Sequence, residues 1–93
     1  MKKNLYSIYD SKAKQYQGVY AVDFEAQIIR DLTSIVNGGS NSPYCMFSED
    51  FQLIKIGTFE TETGLIDSCL ETICKLDALK KVVNYGEARE GRE

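Results

Sequence analysis

The sequence predicts an α+β fold: a small antiparallel or mixed β-sheet of about four strands, in the order β-β-α-β-β-α, with one long helix packed on a face. Three stretches predict it. Residues 49–70 have the pattern of a single hairpin. Residues 23–37 form an amphipathic run that closes on glycines. Residues 4–10 alternate aromatic and β-branched side chains. One sheet layer and one helix layer is the simplest arrangement that lets these stretches bury their apolar sides.

In chain order, Leu5, Ser7 and Tyr9 alternate with Tyr6 and Ile8, the period of a strand. Residues 11–17 are polar and Gly18 interrupts, which predicts a loop before a short second strand over 19–22. Asp23 suits a helix N-cap and Glu25 the first turn. Phe24, Ile28, Ile29, Leu32, Ile35 and Val36 then share one helical face, and Asn37-Gly38-Gly39 ends the helix. Residues 40–46, with the single proline Pro43, predict a surface connection.

The hairpin follows. Phe51, Leu53 and Phe59 point to one side of its first strand, and Ile54 and Ile56 to the other. A strand apolar on both faces belongs in the middle of a sheet. Gly57 inside it marks a bulge or a close backbone approach, and the Ile54–Ile56 side is a candidate seam between subunits. Thr63-Gly64 supplies the turn. Residues 71–74 leave the pattern undecided. A short helix is predicted over 77–84, with Leu76, Leu79, Val82 and Val83 on one side.

Ninety-three residues allow one domain, placed at 1–85, with the charged residues 86–93 as a frayed tail. No apolar run approaches the ~20 residues that span a bilayer, and no long apolar region follows the basic start. The expectation is a protein without a signal peptide that stays in the cytoplasm where it is made, away from membranes. Three cysteines (Cys45, Cys69, Cys74), no histidine and no regular zinc spacing predict reduced, structural thiols and no metal or cofactor. Nucleophiles without a histidine base, and glycines that follow a helix rather than precede one, argue against an enzyme. Metal-dependent nucleic-acid hydrolysis, through carboxylates such as Asp50 and Glu60, is the weakest of the readings.

The net charge of -3 hides an asymmetry. The first twenty residues carry Lys2, Lys3, Lys12 and Lys14 against Asp10 alone, while the rest of the chain is acidic. Those lysines are interleaved with Tyr6, Tyr9, Tyr16 and Tyr20. Single-stranded nucleic acid asks for this mixture: ammonium groups for phosphates, and flat rings on which bases stack whatever the sequence. Strand tyrosines also serve as core, and alternation lets only one of Tyr6 and Tyr9 lie on a given sheet face.

Three stretches occur in order: Tyr6-Ser7-Ile8-Tyr9-Asp10-Ser11-Lys12-Ala13, then Glu49-Asp50-Phe51-Gln52-Leu53, then Ile56-Gly57-Thr58-Phe59 with Thr63-Gly64. Over roughly residues 5–70 the chain resembles the small non-structural DNA-binding protein of gokushovirus-type microviruses, single-stranded DNA bacteriophages. Ser48 departs from the proline often found there in that family. The resemblance implies a viral non-structural protein in the bacterial host cytoplasm. It would bind single-stranded DNA and assist the switch from duplex to single-strand genome replication or packaging. Lys2, Lys3, Tyr6, Tyr9, Lys12, Lys14, Tyr16 and Tyr20 are the expected contacts, in a homo-oligomer. The rival reading is a protein-interaction module that recruits phage or host replication or assembly factors through its acidic remainder.

Overall fold

The computed structural model describes residues 1–39 and 41–80. Four antiparallel strands form one sheet, in the order β2-β1-β3-β4. The strands are β1 (Lys2–Asp10), β2 (Gln15–Val22), β3 (Phe51–Glu60) and β4 (Ile66–Lys75). A tight turn joins β1 to β2, with the Lys14 N–H donating to the Asp10 carbonyl at 2.7 Å. β1 pairs on its other side with β3, from Lys2 opposite Glu60 to Asp10 opposite Phe51. The apolar pattern on both sides of β3 fits its interior place.

The architecture corrects the expected long helix on a sheet. The molecule is mostly sheet, and among the described residues only α1 (Glu25–Val36) exceeds a single helical turn. Its twelve residues reach ~18 Å at 1.5 Å each. The ten-residue β3 and β4 reach roughly 33 Å. α1 therefore covers only part of one face. Phe24, counted on its apolar side, precedes the helix and is 70% exposed.

Residues 71–75 extend β4. Where a helix was expected over 77–84, the described part is one 3-10 turn, Leu76–Leu79. Residues 81–84 and the expected tail at 86–93 lie outside the described residues. The connection after α1 holds a one-turn helix, α2 (Pro43–Met46), and a 3-10 turn, Ser48–Asp50.

The start of α1 also differs from expectation. The Asp23 carboxylate does not cap it, because the Lys3 Nζ holds it at 2.7 Å. The Gln27 side-chain oxygen instead accepts from the Asp23 and Phe24 N–H groups, each at 3.0 Å. Two amide groups at the helix entrance thus gain a partner without a capping hydroxyl or carboxylate.

One core lies between the sheet and α1. It joins Tyr6 and Ile8 of β1, Phe51 and Leu53 of β3, Ile28, Leu32 and Val36 of α1, and Leu76. The i, i+4, i+8 spacing of the three α1 residues makes a single stripe. Tyr44 of α2 closes one side, its ring edge-on to Phe51 at 4.8 Å between centroids. At Gly57 the ladder shifts on both sides. The close approach there comes from β4, not from the helix: a Cβ would run into the Asp67 carbonyl oxygen.

Candidate nucleic-acid interface

The sheet sorts the eight expected contact residues into distinct places. Tyr6 is a core residue, 1% exposed, and its hydroxyl donates to Glu25 Oε1 at 2.9 Å. Burial, then that hydrogen bond and the nearby carboxylates, hold its phenol far above the ordinary range. Tyr6 is therefore removed from the set of contacts, since its ring is sealed under α1 and offers no face to a base.

Tyr20 is opposite Tyr6 in the β1–β2 register, so it shares the helix-side face. It lines a cleft with Leu32, Ile35 and Tyr44 at the edge of the core. The Tyr44 hydroxyl donates to Gln17 Oε1 at 2.9 Å, and burial raises its phenol above the ordinary value.

Tyr9 and Tyr16 are brought together. They are cross-strand partners, and their rings lie 4.9 Å apart, tilted at 52°. Alternation from Tyr6 and Ile8 puts Tyr9 on the sheet face away from α1. Tyr16 is half exposed there. The lysines divide into two groups. Lys12 and Lys14 sit exposed in the turn next to this ring pair, Lys14 with a left-handed φ of 58°. Lys2 and Lys3 lie at the other end of the nine-residue β1, roughly 25–30 Å away. Lys3 is further engaged by Asp23, at 2.7 Å.

The register adds residues that the sequence pattern did not reveal. Tyr16 is opposite Tyr9, Tyr9 opposite Gln52, and Gln52 opposite Lys75. Paired residues share a face, so these four make one row across all four strands, ~14 Å wide at 4.8 Å per strand. The row carries two rings, an amide and an ammonium, bordered by Lys12 and Lys14. Lys75 lies far from the amino-terminal lysines in sequence, and only strand pairing brings it here.

Acidic groups share this end of the sheet. The Asp10 carboxylate accepts from the Lys12 and Ala13 N–H groups at 2.9 and 3.1 Å, which fixes the turn. Glu49 and Asp50 precede β3, and the Asp50 carbonyl accepts from both the N–H and the hydroxyl of Ser11. The cationic character is local to the turn and to Lys75.

Among the described residues no helix is long and apolar enough to cross a membrane. No curated protein and no solved structure matches the chain. A family model described as phage ORF5 protein matches residues 3–79, which takes in all of the sheet but Lys2, together with α1 and the Tyr9–Tyr16 row. The chain is thereby a member of the phage ORF5 protein family.

Proposed function

We propose that this phage protein binds single-stranded DNA, as the gokushovirus-type resemblance implies, and that it acts without catalysing a reaction. The observation that carries the reading is the Tyr9–Tyr16 ring pair on the uncovered sheet face, with Lys12 and Lys14 in the adjoining turn. Rings accept unpaired bases by stacking, and nearby ammonium groups meet the phosphates. Lys75 extends the row on the far strand. Three phosphate contacts predict a salt slope near -2, from about -0.7 per contact on single strands. The role fits a non-structural protein in the host cytoplasm that takes up displaced strands as duplex synthesis gives way to single-stranded genomes.

The test is a fluorescence-anisotropy titration of the full chain against an oligothymidylate, across salt. Low-salt binding that weakens with that slope, and that Tyr9→Ala and Tyr16→Ala each reduce by about 1–3 kcal/mol, supports the reading. Absence of binding at low salt overturns it and leaves recruitment of phage or host replication proteins as the surviving alternative.

A further inference from the structure

The helix-side core accounts for one face of the sheet. On the other, Ser7, Tyr16, Val19, Ile56 and Leu70 line a shallow depression that continues past Leu5, Ile66 and Cys69. Leu5 and Ile54 are already nearly free of water, at 7% and 5% exposure. Val19, Ile66 and Leu70 stand out of the face at 66%, 59% and 71%. Among the described residues nothing lies over them. The lining of these depressions contains no Lys, Arg, Asp or Glu.

That lack of charge decides the occupant. A strand of DNA needs cations along its path, and this part of the face has none. Interface centres are depleted of charge and rich in apolar side chains. An uncharged apolar patch also complements itself, which is what a two-fold interface requires. The chain is extended for its size: the radius of gyration is 15.4 Å against about 12 Å for a compact chain of this length. A specific interface buries at least about 1,000 Å² in total, so the pair must cover the exposed Val19, Ile66 and Leu70 of both copies together with the residues around them.

We propose that a second copy of this chain packs on this face, sheet against sheet, with the seam around Ile56, Ile66 and Leu70. Tyr16 borders this depression at its β2 edge, whereas Tyr9, Gln52 and Lys75 do not line it. This assignment does not depend on DNA binding. Tyr9→Ala, outside the lining, leaves the pair intact, and loss of the pair leaves the Tyr9–Tyr16 contact within each copy in place.

Sedimentation equilibrium of the full chain tests it. The expected mass at about 100 µM is twice the 10.5 kDa of one chain. Leu70→Glu buries an unpaired carboxylate in the seam and weakens the pair by at least about a hundredfold, with an unchanged circular dichroism spectrum. Val19→Lys, which lines the same depression from β2 at the opposite edge of the sheet, does the same should Leu70→Glu fail to fold. A wild-type chain that stays monomeric at that concentration overturns the proposal. So does a folded Leu70→Glu or Val19→Lys chain that remains fully paired.

Discussion

The Tyr6 hydroxyl donates to Glu25 Oε1 at 2.9 Å, tying the central strand to the first turn of α1. Tyr6→Phe keeps the buried ring and removes this bond. Glu25 is exposed and regains water, so the expected cost is about 1 kcal/mol rather than the larger penalty of an orphaned buried charge. Urea unfolding measures it. Oligonucleotide binding should not change, and a tenfold loss of binding would mean that Tyr6 is not merely core.

Lys75 and Lys2 separate the two lysine groups. If DNA follows the Tyr16–Tyr9–Gln52–Lys75 row, Lys75→Ala flattens the salt slope by about 0.7, one phosphate contact. Lys2→Ala, at the far end of β1, leaves the slope unchanged. The reverse pattern in an anisotropy titration would move the DNA path to the opposite end of the sheet.

Gly57 admits no side chain. The Asp67 carbonyl occupies the place of its Cβ, and its φ is 156°. Gly57→Ala must push β4 away from β3, with an expected loss of about 2–3 kcal/mol, the upper range for overpacking. Thermal unfolding reads this. A change below about 0.5 kcal/mol would show that β4 yields freely there.

Glu60 gives a pH signature. The Met1 ammonium donates to its Oε2 at 2.7 Å, and this bond is the main reason that its carboxyl titrates below the ordinary value of 4.5. The folded value is the lower one. The contribution is thus complete above the unfolded value and is lost as pH falls through the folded value. A carboxyl-resolved NMR titration should place the Glu60 midpoint below 4.5. Acetylating the amino terminus should raise it, and a midpoint unmoved by acetylation would assign the shift to another cause.

The periodicities that located α1 and the strands are local, and Ile28, Leu32, Phe51 and Leu53 all reached the core they advertised. Helix extent was harder to read. Phe24 continued an apolar stripe in sequence, but the turn of chain at Asp23, held by Lys3, placed it outside. Residues 71–74 showed no clear alternation because the β3–β4 ladder slips between Thr72 and Cys74 and again just before Glu71. The same slips decide which residues meet across the sheet. Tyr9 and Tyr16 were visible as candidates, but their contact, the isolation of Lys2 and Lys3, and the arrival of Lys75 depend on register, which no single segment encodes.

The order β2-β1-β3-β4 puts β1, the earliest in sequence of these four strands, in the interior of the sheet. As the nascent chain leaves the ribosome, β1 can find β2 at once. Its other flank waits for residues 51–60, seconds later at ~5–20 residues per second. During that interval the emerging polypeptide exposes an unsatisfied strand edge that a chaperone, or a neighbouring nascent copy, is free to engage.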